Sequence, residues 1–158
     1  MSGTAIPGLS AALSAERAAL LGFIAVLEHE QAALIENRSD ALPELSEQKT
    51  ADAIKLGQLA DMRRELLKRA IPNQNAETVA SWLGKHSPAE LASWQDIIAL
   101  TQRAKQLNLI NGELIQMKLR RNQQTLTVLS NAVNKGGVYG RNGQPDFSPG
   151  SGRTLGRG

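Results

Sequence analysis

The sequence predicts an all-α protein, and three properties of the chain support this fold class. Aromatic residues make up only 3% of the 158 residues, so a core must be built mainly from Leu, Ile, Val and Ala, which suits packed helices better than a sheet. Apolar residues recur at helical spacing through most of the chain. Eight of the fourteen glycines fall in the last 24 residues, which leaves the preceding chain free to form long helices.

We therefore expect an antiparallel helical hairpin plus a long third helix, which together form a coiled-coil-like three-helix bundle over residues 1–134. A Gly/Pro-rich flexible tail is predicted at 135–158, because its composition cannot bury enough apolar area to offset the ordering of its backbone.

The first helix is predicted at about residues 9–36. Leucines repeat every seven residues along it, as in a coiled coil, at Leu13, Leu20, Leu27 and Leu34. The charged residues of the segment are expected on the opposite, solvent-facing side; they are Glu16, Arg17, Glu28 and Glu30.

The most apolar run of this helix, ALLGFIAVL at 19–27, is shorter than the ~20 apolar residues that span a bilayer. Glu16 and Arg17 precede it in place of the basic segment of a secretory signal. We therefore expect a cytoplasmic protein without direct membrane insertion.

The second helix is predicted at about residues 42–70. A proline suits its first turn, and Ser39 or Asp40 can cap it. Its apolar layers are interrupted by Lys49 and Asp52, which we interpret as an oppositely charged pair, one turn apart, that fixes the register of the bundle.

A short helix is predicted at about 77–83 and a long one at about 87–134. The long helix has a strong start signal, since Ser87 as N-cap, a proline at the first helical position and Glu90 form a capping box. Only Gly112 weakens it before the glycines that end it. The first part of its apolar seam is assigned to Leu91, Trp94, Ile98, Thr101, Lys105 and Asn108.

The long helix exceeds its two companions in length. Helices of about 28 to 30 residues, which rise ~1.5 Å per residue, cannot flank all of a helix of about 48 residues. An apolar stripe near its end, at Leu119, Leu126, Leu129 and Val133, then needs a cover, which marks an interaction site. Two alternatives remain: the helix breaks near Gly112 and folds back, or a second copy of the chain covers the stripe.

Three asparagines, Asn108, Asn111 and Asn122, fall on or beside this face. Such residues either pair across the bundle and fix its register or donate hydrogen bonds to a bound segment. The sequence does not distinguish the two roles.

The sequence contains few groups that support catalysis. It has no cysteines, which excludes disulfides, thiolate zinc sites and a cysteine nucleophile and fits a reducing compartment. His29 and His86 lie in different predicted elements, and neither belongs to a metal-ligand spacing. We expect neither an enzyme nor a bound cofactor or metal.

The net charge of +3 comes from the end of the chain. From Lys135 onward, four basic residues stand against Asp146, whereas the remaining chain balances at fourteen charges of each sign. A phosphate-binding surface needs a dense basic stripe. Nucleic acid is therefore not expected as a partner.

Two segments carry a family resemblance. The stretch LNLINGELIQMKLRRNQQTLTVL, 107–129, followed by VYGRNGQ, 138–144, resembles the FlgN family of flagellar type III export chaperones. The resemblance implies binding without turnover: the chaperone covers the C-terminal helical segments of the hook-filament junction proteins FlgK and FlgL, prevents their premature assembly and delivers them to the export gate protein FlhA.

By this resemblance, the cargo-binding residues are predicted to be Asn108, Asn111, Ile115, Leu119, Asn122, Leu126, Leu129 and Val133. The single tyrosine of the chain, in the motif Y-G-x-x-G, matches the tyrosine implicated in gate docking, so this role is predicted for Tyr139, Gly140 and Gly143. An aromatic residue on a flexible segment suits an anchor for a pocket on another protein.

A different class of function also fits these patterns. The long helix suits a self-associating coiled-coil scaffold or adaptor, in which it pairs with its own copy as a homo-oligomer.

Overall fold

The computed structural model describes residues 6–136, and this part of the chain is all-α, as predicted, with no strand. Its helices are α1 (Leu9–Ile35), α2 (Leu42–Leu67), α3 (Ala76–His86) and α4 (Pro88–Gly136), and a 3-10 turn at Ser39–Ala41 precedes α2. The predicted tail lies outside the described residues from position 137 onward, while Lys135 and Gly136 belong to α4. The chain divides into two compact units, residues 1–114 and 115–158.

In the first unit, α1 and α2 form a hairpin with a tight connection. Asn37 adopts a left-handed conformation (φ 57°), which asparagine tolerates better than most residues. The next amide, that of Arg38, donates to the Ala33 carbonyl over 2.8 Å, and this bond closes the end of α1. The predicted caps of α2 were wrong: Ser39 and Asp40 belong to the 3-10 turn, and the N-cap position has no side-chain hydrogen bond.

The core of this unit joins all four helices. Its main cluster is formed by α1, the end of α2 and the following loop, α3 and the start of α4, through Leu9, Leu13, Leu20, Leu67, Ile71, Val79, Leu83, Trp94 and Ile97. A second cluster lies further along α1 and α4, at Ile24, Leu27, Ala104 and Leu107. The first part of α4 is therefore a core helix.

Over part of this region, the buried positions of α4 precede the predicted seam positions by one residue. The structure buries Ile97, Ala104 and Leu107, whereas the predicted seam positions Lys105 and Asn108 are exposed. Adjacent apolar residues, such as Ile97 with Ile98, fit a continuous stripe in either register, so the sequence pattern alone could not decide between them.

A capping box starts α3, the short helix that fills one end of the core. The Asn75 side-chain oxygen accepts from the amides of Glu77 (2.9 Å) and Thr78 (2.8 Å), and the Asn75 amide donates to the Thr78 hydroxyl over 2.9 Å. The short helix was predicted at about 77–83 without a start signal, so the role of Asn75 was missed. In the structure Ser87 alone separates α3 from α4, and its backbone carbonyl accepts from the Glu90 amide over 3.0 Å.

Candidate functional site

The second unit presents an apolar stripe along α4. Between Ile115 and Lys135 every side chain is exposed except that of Lys118, which is half-buried. Alternating spacings of four and three residues place six positions on one face of the helix. We call this face the distal stripe; it comprises Ile115 (38% exposed), Leu119 (52%), Asn122, Leu126 (65%), Leu129 (57%) and Val133 (70%).

These exposures contrast with the leucines of the first unit. Leu13 and Leu27 lie on a stripe with the same kind of spacing in α1, yet both are 0% exposed. Contiguous exposed apolar residues usually mark an interaction site. The distal stripe is therefore the candidate functional site, because it is an apolar seam without a partner among the described residues.

The three asparagines lie in three different environments. Asn111 is 0% exposed and donates to the Leu27 carbonyl and to Glu30 Oε1, each over 2.9 Å. Both donor positions of its amide are used in holding α4 against α1, so its predicted contact with cargo was wrong for this structure. Asn108 is exposed in the first unit, and Asn122 is exposed on the distal stripe.

Asn111 belongs to a polar network that fixes α1, α2 and α4. Glu30, which was expected on the solvent-facing side, is only 7% exposed and also accepts from Lys49 Nζ over 3.1 Å. Lys49 therefore pairs across the hairpin with Glu30, not along its own helix with Asp52 as predicted. The register-setting role inferred for Lys49 acts through this cross-helix pair.

A second buried ion pair lies further along the hairpin. Glu16, 5% exposed, accepts two hydrogen bonds from the Arg63 guanidinium, at 2.8 and 3.0 Å. The same guanidinium lies 4.8 Å from the ring centroid of Trp94, and the Trp94 indole donates to the Ala76 carbonyl. A cation over an aromatic face is a favourable arrangement. This cluster links all four helices. It was not predicted, because Glu16 was expected at the surface.

A signal for both ion pairs is nevertheless present in the sequence. Glu16 and Glu30 are two heptads apart in α1, and Lys49 and Arg63 are two heptads apart in α2. In an antiparallel hairpin, equal spacing lets both pairs form at once. Complementary charges at matching intervals in consecutive helices would therefore have predicted the alignment.

The cationic residues of the second unit were also missed. Between positions 115 and 135 the sequence has no Asp or Glu, and its basic residues are Lys118, Arg120, Arg121 and Lys135. Counting charges on either side of residue 135 masks this asymmetry. When charges are instead counted on either side of the boundary after Leu114, the second unit has a net positive charge.

His29, His86 and Trp82 do not come together in a catalytic or metal-binding cluster. His29 is exposed, and His86 stacks on Trp82 with ring centroids 4.6 Å apart. Among residues 6–136, no three side chains of His, Asp or Glu are grouped so that they could hold a metal ion.

By length and composition alone, α1 is apolar enough to cross a membrane, with a mean hydropathy of 1.5 over its best 18-residue window. The core helix of a soluble protein passes the same test. In this structure α1 contributes leucines to both core clusters and holds two carboxylates that are paired with α2. Its apolar face is thus used in packing against the other helices.

The residues predicted to dock at the export gate, Tyr139, Gly140 and Gly143, lie outside the described residues. Their role stays a prediction.

The family model described as FlgN protein matches residues 1–146, nearly the whole chain. No curated protein and no solved structure matches significantly.

Proposed function

This chain belongs to the FlgN family of flagellar export chaperones, and we propose that in the cytoplasm it binds the C-terminal helical segments of FlgK and FlgL, prevents their premature assembly and delivers them to the export gate protein FlhA. The observation that supports this proposal is the distal stripe. An amphipathic cargo helix that lies along it buries its own apolar face and cannot assemble with copies of itself. We also propose, from the sequence pattern, that the hairpin and the long helix form a coiled-coil-like three-helix bundle.

The exposures of the stripe set the scale of its contribution. Complete burial of a leucine, isoleucine or valine contributes ~1.5 to 3 kcal/mol. The five apolar residues of the stripe are 38 to 70% exposed, so each gains roughly half of that, and together they supply on the order of 4 to 8 kcal/mol. Ordering of a disordered segment costs ~2 to 5 kcal/mol, and association costs more. Micromolar binding needs a net of ~8 kcal/mol, so polar contacts must contribute beyond the stripe.

Leu126→Asp tests the site, because it places a charge in the centre of the stripe, where a bound helix would bury it. We expect the complex with the C-terminal segment of FlgK, observed on a sizing column, to be lost. Asn131→Asp is the matched control: it adds the same charge to an exposed position of the same helix away from the stripe. Unchanged binding by Leu126→Asp, with helix content preserved in circular dichroism, contradicts the proposed site.

Tyr139→Ala tests delivery separately. Since tyrosine is a frequent anchor in protein interfaces, we expect this variant to keep the cargo complex and to bind FlhA more weakly. Equal affinity of the wild type and the variant for FlhA removes the docking role.

A self-associating scaffold remains the second candidate, because the spacing of the distal stripe and its single asparagine also suit pairing with a second copy. Sedimentation at high concentration distinguishes the two functions. A mass of one chain excludes the scaffold, whereas a dimer that Leu126→Asp dissociates supports it.

A further inference from the structure

One polar residue interrupts the distal stripe. Asn122 occupies its third position, with two apolar positions before it and three after it. The side chain of Asn122 is exposed and makes no hydrogen bond to another residue that the structure describes. A primary amide offers two donor positions and an acceptor oxygen. A helix that lies along the stripe covers this amide, so the occupant must replace its hydrogen bonds with water.

The first unit shows how α4 pairs an asparagine that a neighbouring helix covers. Asn111 is 0% exposed, and α1 supplies the acceptors for both of its donor positions, the Leu27 carbonyl and the Glu30 carboxylate. Without such acceptors the buried donors would lose their hydrogen bonds with water and gain nothing in return. The facing helix therefore provides polar groups at the level of the asparagine.

The spacing of the stripe favours a helix as its occupant over a lipid surface. Alternating steps of four and three residues form the narrow seam of a coiled coil. A helix that lies in a lipid interface typically carries large aromatic residues, and residues 115–135 contain none. An amide in the middle of the apolar face would also enter the lipid without a hydrogen-bonding partner.

The positions that flank the stripe do not favour a second copy of this chain. Coiled coils that pair with themselves often carry residues of opposite charge at these positions, and the resulting salt bridges select the partner. The flanking residues of the distal stripe are Gln116, Gln123 and Ser130 on one side and Lys118, Thr125 and Ala132 on the other. None of them is acidic, so a second copy would form no salt bridge between flanking positions.

We propose that Asn122 determines which helices the distal stripe binds: it favours an amphipathic helix that carries a hydrogen-bonding side chain in the layer opposite Asn122 and apolar residues in the other layers. This inference rests on the proposed function and specifies the chemistry of the cargo helix. A single polar layer in an apolar seam costs some stability and fixes the register of the two helices. Because the polar layer is off-centre, a matching occupant can align all of its layers in only one direction along α4.

The test uses the full-length chain and designed helical peptides of about three heptads, with as many seam layers as the stripe. One peptide carries Asn in the third layer from its N-terminus, which suits a parallel occupant, and another carries Asn in the third layer from its C-terminus, which suits an antiparallel one. Each has a counterpart with Leu in that layer.

In the direction that the stripe accepts, we expect the Asn peptide to bind about tenfold more tightly than its Leu counterpart. Leu is the more apolar residue, but it leaves the amide of Asn122 buried without a partner. If the Leu peptide binds as tightly as the Asn peptide, or more tightly, in both directions, the inference is overturned.

Asn122→Leu should reverse the preference by a similar factor, because the Asn of the peptide is then the buried amide without a partner. Asn131→Leu is the matched control, since it makes the same replacement at an exposed position of α4 away from the stripe. It should keep the wild-type preference. Binding is measured at concentrations at which sedimentation shows one chain, because both variants add an exposed leucine. An unchanged preference in Asn122→Leu contradicts the role of this residue.

The C-terminal segment of FlgK separates failure of the inference from failure of the proposed function. If this segment binds while the Leu peptides bind as tightly as the Asn peptides, the inference is wrong and the chaperone function stands. If the Asn peptides bind preferentially while this segment does not bind, the selection by Asn122 stands and the proposed cargo is wrong.

Two other occupants are tested with the same chain. Binding to vesicles that contain phosphatidylserine, with no discrimination among the peptides, overturns the inference in favour of a lipid surface. A dimer in sedimentation that none of the peptides dissociates overturns it in favour of a second copy.

Discussion

Replacement of Arg63 by methionine should lower the free energy of unfolding by about 3 to 5 kcal/mol, because it leaves the Glu16 carboxylate buried without its partner. The side chain of Glu16 is 6% exposed and that of Arg63 is 11% exposed, so water cannot replace the two lost hydrogen bonds. Methionine fills much of the volume of the arginine stem and has a similar helix propensity, so packing contributes little to the loss. The lost contact with Trp94 adds roughly 1 to 2 kcal/mol at most.

A double-mutant cycle isolates the contribution of the Glu16–Arg63 ion pair to the free energy of unfolding. Glu16→Met alone also leaves a charge buried, that of Arg63, which lies 4.8 Å from the ring centroid of Trp94 in the wild-type structure. The variant Glu16→Met/Arg63→Met leaves no charge unpaired and should unfold within about 2 kcal/mol of the wild type. Urea unfolding followed by far-UV circular dichroism measures all four proteins. We expect a coupling energy of at least about 2 kcal/mol.

The neighbouring pair Arg17–Asp96 is the matched control. Its atoms are 3.1 Å apart, but its side chains are 46% and 56% exposed. Arg17→Met should therefore cost less than about 1 kcal/mol. The reasoning fails if Arg63→Met costs no more than Arg17→Met, or if the two single changes of the buried pair simply add.

Substitutions at four further positions test the helices, their ends and the polar network by urea unfolding. Gly57→Ala should stabilise the protein by about 0.5 to 1 kcal/mol, because a Cβ built there meets no atom within 4 Å; Gly8→Ala should destabilise it, since φ is +84°. Asn75→Ala should cost about 1 kcal/mol by removing a cap that accepts two amides, and Asn75→Asp should restore most of it. Asn111→Asp should cost more than about 3 kcal/mol, because it places a carboxylate beside that of Glu30; a loss below 1 kcal/mol would contradict the network.

The helices were predictable where local chemistry marks them. Regular leucines predicted α1 as 9–36 against the observed Leu9–Ile35, and prolines marked the first turns of α2 and α4. The exposure of the distal stripe was predictable from the lengths of the helices. Because α4 has 49 residues and α1 and α2 have only 27 and 26, the two shorter helices cannot cover all of α4. The role of the stripe in cargo binding stays a prediction.

The errors arose where a partner is distant in the sequence. Asn111 bonds to residues 84 and 81 positions away, so nothing near it distinguishes it from Asn108 or Asn122. Glu16 and Glu30 were assigned to solvent because charged residues are almost never fully buried unless they are paired. Only the matching interval in α2 reveals their partners.

The equal spacing of the two buried ion pairs limits how the hairpin can misalign. If α2 slid by one heptad along α1 in one direction, Lys49 would lie opposite Phe23 and Glu16 opposite Leu56. A slip in the other direction would place Arg63 opposite Phe23 and Glu30 opposite Leu56. Each slipped alignment therefore leaves charged residues against apolar neighbours. The two ion pairs thus select a single alignment of the hairpin, and a folding chain that pairs the helices in another alignment is destabilised and separates again.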